Sequence, residues 1–137
     1  MIATIPTVLY VDDNTKSRRL LGSLLRDCGF EVITTADPAE AIGKFRELRF
    51  DAALIDYQMP VISGPELAQK MKTIHPNVPV VMLSGCAALP DRELLWVDAH
   101  FGSGTSLDDL LLTLRTLTWS RAVKYDKTTA AHWAHST

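Results

Sequence analysis

The chain of 137 residues carries 14 lysine and arginine residues against 16 aspartate and glutamate residues, a formal net charge of −2. This near-neutral balance argues against a protein whose main task is to grip nucleic acid. No apolar run approaches the roughly 18 residues that a membrane span needs, and no basic segment precedes the first apolar residues. Two cysteines are too few for a disulfide scaffold, so we expect a single cytoplasmic domain without a membrane span or a signal peptide.

Short apolar runs alternate along the chain with longer segments in which apolar residues recur at helical spacing. The apolar runs predict strands at residues 7–11, 30–35, 52–55, 78–83 and 97–101. The helical pattern predicts helices that begin near residues 15, 38, 63 and 106, and a short helix over 91–96. In the last helix the leucines expected to face inward are Leu107, Leu110, Leu111, Leu114 and Leu117.

This order of elements predicts an α/β fold of the flavodoxin-like (βα)5 type, a three-layer sandwich around a parallel sheet. The expected strand order is 2-1-3-4-5, because the first and third strands are the most apolar and the second has the more polar sequence of an edge. We expect one domain over residues 6–119 and a polar tail over 120–137. In this order the ligand site lies at the carboxyl ends of strands one and three, where the winding reverses.

Acidic and hydroxyl side chains follow three neighbouring strands of this predicted sheet. Asp12 and Asp13 end the first strand, Asp56 ends the third, and Ser84 ends the fourth. Three carboxylates at one sheet edge repel each other, and a hard divalent cation such as Mg²⁺ offsets that repulsion. Asp56 directly follows a buried strand and is therefore placed to act as a carboxylate nucleophile, with the Ser84 hydroxyl as a donor to a phosphoryl oxygen. Taken alone, Asp12 and Asp13 have solvated loop residues as the lesser interpretation, whereas a lone Ser84 would more often be structural and satisfy backbone groups.

The motifs resemble those of the receiver domain of bacterial two-component response regulators, over about residues 6–118. They read Val11-Asp12-Asp13, Asp56-Tyr57-Gln58-Met59-Pro60 followed by Gly64, and Leu83-Ser84-Gly85. The resemblance implies that Asp56 is the phosphoacceptor, and that Asp13 and Asp56 bind Mg²⁺ directly. It also implies that Asp12 binds the metal through water and that the backbone carbonyl of Gln58 completes the coordination. By the same resemblance, Ser84 is the switch hydroxyl.

One departure from that family lies after the fifth strand, where the family places a lysine. Depending on the alignment, Ser103 or Gly104 occupies this position, and the nearest basic residues along the chain are Arg92 and Arg115. A phosphoryl group on Asp56 would therefore lack one charge-assisted hydrogen bond. We expect metal binding to persist and the coupling between phosphorylation and conformational switching to be weakened or rewired.

Several other side chains attract weaker expectations. Lys16 and Arg18, early in the first predicted helix, are expected to face solvent rather than the pocket, and Cys86 is expected to be a small buried thiol. Trp96 and Trp119 are candidates for a partner or dimer face, with ordinary packing the favoured interpretation.

The function that these patterns favour is a response-regulator receiver in a phosphorelay, which accepts phosphate and is not a turnover enzyme. Its donor would be a sensor histidine kinase or a phosphotransfer protein, its reader a protein target, and a homodimer is another candidate assembly. About 18 residues follow Trp119, too few for a helix-turn-helix output domain, so no direct nucleic-acid contact is expected. The chain could equally be one piece of a larger protein.

Three alternatives remain open at this point. The first is a pseudo-receiver that binds protein without using phosphorylation, which the absent lysine favours and the intact aspartates oppose. The second is a Mg²⁺-dependent phosphohydrolase, although the sequence shows neither a lid insertion nor a general acid beside Asp56. The third is flavin binding on the same fold, which lacks a phosphate-cradling loop after the first strand.

Overall fold

Strands and helices alternate along the chain in the order that the sequence predicts. The computed structural model describes residues 5–86, 88–102 and 104–119. Within these residues the strands are β1 (Thr7–Val11), β2 (Glu31–Thr35), β3 (Ala52–Asp56), β4 (Val80–Leu83) and β5 (Ala99–Phe101). The α-helices are α1 (Thr15–Asp27), α2 (Pro38–Glu47), α3 (Gly64–Ile74) and α4 (residues 107–119), and a 3-10 helix covers Asp91–Glu93. The expected tail over 120–137 lies outside the described residues.

The five strands form one parallel sheet in the order β2-β1-β3-β4-β5, which confirms the predicted flavodoxin-like topology. β1 and β3 are interior strands of the sheet. Nearly all of their side chains are buried, because strands of this kind are covered on both faces. β2 is an edge strand and exposes Glu31. The register pairs Val11 with Ile55 and Asp56 with Leu83, so β1, β3 and β4 end at nearly the same level.

Helices cover both faces of the sheet, and each face has its own apolar layer. The layer on the α2 and α3 side includes Leu9, Val11, Phe45, Ile55, Leu67, Met71, Val80 and Met82. The layer on the α1 and α4 side includes Val8, Tyr10, Leu25, Val32, Leu54, Val81, Leu110 and Leu114. Successive residues of a strand point to opposite faces, so β1 and β3 contribute to both layers and hold the sheet edge in a fixed position.

The ends of the helices follow from local side-chain and backbone chemistry. The side chain of Asn14 accepts a hydrogen bond from the N–H of Ser17 (2.9 Å) and caps α1, and Ser106 Oγ accepts one from the N–H of Asp109 (3.1 Å) and caps α4. Gly29, with φ at +97°, follows α1 in the left-handed conformation that the sequence predicts there. None of the helices in the described part of the chain is long and apolar enough to cross a bilayer.

The connection between β4 and β5 differs from the expectation. A helix was predicted over residues 91–96, whereas helical structure is confined to the 3-10 turn Asp91–Glu93, which has no side-chain cap. A six-residue helix gains few hydrogen bonds against the cost of nucleation. Leu95 and Trp96 are 72% and 39% exposed, so burial does not supply the missing stabilisation.

The leucine stripe of α4 faces inward except at its first residue. Leu110, Leu111 and Leu114 are buried and Leu117 packs against the same layer, as predicted. Leu107 is 38% exposed, so its predicted burial is wrong. It is the first residue of the helix and lies within an exposed stretch over residues 104–109.

Candidate metal centre

Three carboxylates meet at the carboxyl ends of the two central strands. Asp12 and Asp13 directly follow β1, and Asp56 is the last residue of β3. One carboxylate oxygen from each residue lies within 4.8 Å of the others. The strand order predicts this convergence, because adjacent parallel strands end at the same sheet edge.

Asp12 is the most buried of the three carboxylates, at 6% exposed, and it is held from several sides. Tyr10 Oη donates a hydrogen bond to Oδ2 (2.6 Å), and the backbone N–H of Asn14 donates to Oδ1 (2.9 Å). Arg18 Nη1 donates to the backbone carbonyl of Asp12 (2.8 Å), so the guanidinium braces the loop after β1 instead of facing only solvent. Burial and the hydrogen bond to Asp12 raise the pKa of Tyr10, which keeps its hydroxyl protonated as a donor.

Asp56 lies in an environment that disfavours its negative charge. Burial, followed by the charges of Asp12 and Asp13, raises the pKa of its carboxyl to about 6. The backbone amides of Gln58 and Tyr57 act in the opposite sense by hydrogen bonding to the ionised form. The cluster therefore carries uncompensated repulsion near neutral pH, which a divalent cation among the oxygens would relieve.

An open cavity lies at this edge of the sheet, over Asp13 and Asp56. Its walls are formed by the start of α1, the loop after β3 and the end of β4. The lining residues are Asp13, Asn14, Thr15, Lys16, Asp56, Tyr57, Gln58, Met59, Pro60, Ser63 and Gly85. Lys16 is exposed, as expected, but it also lines this cavity, which the sequence interpretation did not expect.

Gly64 allows α3 to begin against the strand end that carries Asp56. Its N–H donates a hydrogen bond to the carbonyl of Tyr57 (2.9 Å). A Cβ at this position would lie 2.7 Å from the backbone oxygen of Asp56 and 2.8 Å from Cα of Tyr57. Both neighbours are backbone atoms that cannot rotate away. Position 64 of the motif therefore needs glycine, because any side chain would clash with the backbone.

Ser84 follows β4, beside the strand of Asp56, but its hydroxyl is engaged within its own loop. Ser84 Oγ accepts a hydrogen bond from the N–H of Cys86 (2.8 Å) and donates to the Cys86 carbonyl (3.0 Å). Gly85 lines the cavity in its place. A contact from Ser84 to a group on Asp56 requires this local turn to open, so its role stays a prediction. Cys86 is exposed, and the expected burial of its thiol is wrong.

The segment after β5 carries no basic side chain at either position where the family places its lysine. Ser103 lies outside the described residues. Gly104 has φ at +90°, a left-handed conformation that residues with a side chain rarely adopt. The backbone at Gly104 therefore favours glycine over lysine at this position.

Two tyrosines contribute contacts that the sequence interpretation missed. Tyr10 lies two residues before Asp12, and residues two apart on a strand share a face, so this contact could have been found from the alternation alone. Tyr57 Oη donates a hydrogen bond to Glu93, 36 positions away, which raises the pKa of Tyr57. No local signal predicts that pairing, because it depends on the path of the β4–β5 connection.

Comparison with protein families agrees with this geometry. A model of the response regulator receiver domain matches residues 8–98, which contain all three aspartates. The chain belongs to the response regulator receiver domain family. The resemblance inferred from the motifs is thereby confirmed, and the receiver is a signalling module of two-component systems.

Among curated proteins, the receiver is similar to transcriptional regulators and to a sensor kinase. It is 39% identical over 89 residues to the transcriptional regulatory protein PrrA of Mycobacterium tuberculosis, covering 65% of this chain and 38% of that protein. It is 36% identical over 89 residues to the autoinducer 1 sensor kinase/phosphatase LuxN of Vibrio campbellii, covering 65% of this chain and 10% of that protein. The chain thus spans well under half the length of these relatives.

Among solved structures, the receiver is similar to chemotaxis and response regulators. The chemotaxis response regulator CheY4 of Vibrio cholerae is 30% identical, with a TM-score of 0.72 over 83% of this chain and 99% of that one. The response regulator TrrA of Thermotoga maritima, solved in complex with Mg²⁺ and BeF, is 27% identical, with a TM-score of 0.75 over 82% of this chain and 98% of that one. These neighbours agree with the flavodoxin-like fold.

Proposed function

We propose that this receiver is a Mg²⁺-dependent phosphoacceptor module that takes a phosphoryl group on Asp56. The observation that carries the proposal is the convergence of the Asp12, Asp13 and Asp56 oxygens within 4.8 Å. The pKa of Asp56, raised to about 6, supports it, because a cation relieves the repulsion that contributes to the shift. The structural neighbour TrrA, solved with Mg²⁺ and BeF, supports it by similarity.

The metal would be held by oxygen atoms of the three aspartates and of one backbone carbonyl. Asp13 and Asp56 would bind Mg²⁺ directly with the carbonyl of Gln58, and Asp12 would bind through water. Asp13, Asp56 and Gln58 line the same cavity, and Mg²⁺ prefers such hard oxygen ligands. When bound, Mg²⁺ neutralises charge on the transferring phosphoryl group.

Asp56 supplies the nucleophile in this proposal. With a pKa of about 6 its carboxylate is mostly ionised at neutral pH, so an Oδ atom can attack phosphorus. The new O–P bond forms as the bond from phosphorus to the donor breaks, and that electron pair leaves with the donor. Hydrogen bonds from Tyr10 and Asn14 to Asp12 keep the neighbouring carboxylate in place during this step.

The response to phosphorylation is expected to differ from the family pattern. Ser84 would act as the switch hydroxyl only after leaving its hydrogen bonds to Cys86. No lysine stands at position 103 or 104 to meet a phosphoryl oxygen. The proposal is therefore a receiver in which the link between phosphorylation and conformational change is altered.

We also infer the partners, the domain limits and the cellular location, and membership of the family supports the kind of partner. A sensor histidine kinase or a phosphotransfer protein would donate the phosphoryl group, and a protein target or a second copy would read the outcome. The domain would comprise residues 6–119 with a tail over 120–137, in the cytoplasm. The similarity to LuxN, a sensor kinase/phosphatase, and to PrrA, a transcriptional regulatory protein, is consistent with such partners.

A pseudo-receiver that ignores phosphorylation is the second candidate. The absent lysine favours it. The assembled carboxylates and the buried support of Asp12 oppose it, because such a cluster is costly to keep without a cation.

Intact-mass measurement after incubation with a small phosphodonor tests the proposal. We expect the wild-type chain to gain one phosphoryl group in Mg²⁺ and none in EDTA. Asp56→Asn abolishes labelling, whereas the exposed Asp108→Asn on α4 retains it. An unmodified wild-type chain in Mg²⁺ would overturn the proposal, and repeated turnover of the donor would indicate an enzyme instead.

A further inference from the structure

Lys16 lines the cavity into which a group on Asp56 would project. It is the one basic residue among those that form the cavity in the described part of the chain. Lys16 lies in the first turn of α1, where the cap between Asn14 and the N–H of Ser17 fixes the backbone on either side of it. The backbone of Lys16 is therefore held in place beside the acidic site, while its long and flexible side chain carries the ammonium group.

The ammonium of Lys16 is available, whereas other cations near the sheet are committed elsewhere. Within residues 5–86, 88–102 and 104–119, Lys16 makes no salt bridge, although the carboxylates of Asp13 and Asp56 line the same cavity. Arg18 is bound to the backbone carbonyl of Asp12 (2.8 Å). Lys72 is bound to Asp98 (2.6 Å), next to the starts of β4 and β5 and far from the cavity along the strands.

The chemistry of a phosphoryl group requires such a cation. An aspartyl phosphate adds negative charge to a site that already holds three carboxylates. With one divalent cation bound, the net charge of the phosphorylated site is still negative. No lysine or arginine occurs between Arg92 and Arg115 that could neutralise this charge from the β5 side. Arg92 lies on the side of the Tyr57 hydroxyl and does not line the cavity.

We propose that Lys16 is the positioning cation for the phosphoryl group, entering the site from α1 in place of a lysine after β5. This inference rests on the proposed phosphoacceptance at Asp56. Lys16 would donate a charge-assisted hydrogen bond to a phosphoryl oxygen once the group is attached. A lysine after β5 would draw the β5 end of the sheet toward the phosphoryl group. Because Lys16 makes the contact from α1 instead, neutralising the phosphoryl charge would not move the β5 end of the sheet.

The affinity for BeF₃⁻ in saturating Mg²⁺, followed by ¹⁹F NMR, measures this contact without any turnover. We expect Lys16→Gln to weaken binding of the anion at least about tenfold, as loss of a charged hydrogen bond predicts. Arg19→Gln, an exposed residue on the same helix that does not line the cavity, is the matched control and leaves the affinity unchanged. Lys16→Arg restores most of the affinity, since it keeps the positive charge.

Two further measurements separate this inference from the proposed function. Mg²⁺ affinity in the absence of anion must not weaken in Lys16→Gln, because Lys16 is not a metal ligand. Ser103→Lys in the Lys16→Gln background is expected to recover anion binding from the β5 side. Wild-type chain that is labelled on Asp56 but has the same BeF₃⁻ affinity as Lys16→Gln would overturn the role of Lys16 alone. Wild-type chain that neither takes label nor binds BeF₃⁻ would overturn both.

Discussion

The hydroxyl of Tyr57 donates a hydrogen bond to the carboxylate of Glu93, with 2.5 Å between the oxygen atoms. Tyr57 is the residue after Asp56, and Glu93 ends the 3-10 helix in the connection between β4 and β5. This contact links the loop beside the acidic cluster to the segment that replaces the predicted helix over 91–96. We expect a change at Asp56 to reach the β4–β5 connection through this side chain.

Removing this hydrogen bond is expected to loosen the β4–β5 connection. In Tyr57→Phe the ring stays but the donor is lost, so amides of residues 88–98 should exchange faster with deuterium than in wild type. Glu93→Ala, which removes the acceptor, should produce the same pattern, and the double variant should add little to either single change, because both remove one contact. Unchanged exchange in this segment, or fully additive effects, would contradict a coupling through Tyr57 and Glu93.

Gly64→Ala is expected to destabilise the receiver and weaken its metal binding. The added Cβ would meet the backbone of Asp56 at 2.7 Å, so either α3 or the end of β3 must shift. We expect a loss of about 1–3 kcal/mol in the free energy of unfolding, measured by urea denaturation, together with weaker Mg²⁺ binding.

Gly43→Ala is the matched control for this change. Apart from its chain neighbours and the nearby backbone of its own helix, no described atom lies within 4 Å of its ideal Cβ, and the residue is inside α2. Alanine favours a helix interior over glycine, so this variant should gain about 0.5–1 kcal/mol and keep its Mg²⁺ affinity. If both variants behaved alike, the steric account of the motif glycine would be wrong.

The metal-free receiver is expected to lose stability as pH rises from about 4 to 6. Asp56 has a pKa of about 6 in the folded chain against an ordinary value of 3.8, so over this interval the folded state keeps a proton that the unfolded state has lost. The free energy of unfolding therefore falls with rising pH for this group. Urea denaturation in EDTA at several pH values should show this slope. Saturating Mg²⁺ should reduce the loss in the free energy of unfolding above pH 6.

Two variants test whether Asp56 causes this fall in the free energy of unfolding with rising pH. Asp56→Asn should remove the contribution and leave a more stable metal-free protein at pH 7, because an uncharged amide replaces the repelled carboxylate. Asp108→Asn, on the exposed side of α4, should leave the slope as in wild type. A slope that survives in Asp56→Asn would show that another group is responsible.

Lys72 is expected to stabilise the end of the sheet away from the site. Its ammonium donates to the carbonyl of Val78 (2.9 Å) and to Asp98 Oδ2 (2.6 Å), and the same oxygen accepts from the N–H of Val80 (2.8 Å). Lys72→Gln should lower the free energy of unfolding by about 1–2 kcal/mol, since it breaks a charged hydrogen-bond network. In Lys44→Gln the loss should stay below about 0.5 kcal/mol, because its pair with Glu40 is a looser helical contact at 3.6 Å. Equal losses in both variants would contradict this ranking.

The fold and the acidic cluster were predictable because both depend on patterns that are short along the chain. β1 and β3 are apolar at successive positions, and a parallel sheet brings the residues after them, Asp12, Asp13 and Asp56, to one edge whatever the connecting segments do. The end of α1 was predictable in the same way, because a glycine such as Gly29 commonly follows a helix in the left-handed conformation.

The remainder depended on contacts that no local pattern encodes. The side chains of Lys16 and Arg18 were expected in solvent. Lys16 lines the cavity instead and Arg18 braces Asp12, because the start of α1 lies beside the loop that carries Asp12 and Asp13. The segment 91–96 has helical composition, but too little of it is buried to form more than a 3-10 turn. The local turn of Ser84 with Cys86 depends on the path of the chain after β4.

Locating the phosphoryl group by peptide mapping tests the central claim most directly. The chain is treated with a small phosphodonor in Mg²⁺, reduced with borohydride to convert an acyl phosphate to the alcohol, and digested for mass spectrometry. We predict conversion of Asp56 to homoserine, with Asp12 and Asp13 unmodified and no conversion in EDTA. Conversion at another aspartate, or at none, would contradict the assignment of Asp56 as the phosphoacceptor.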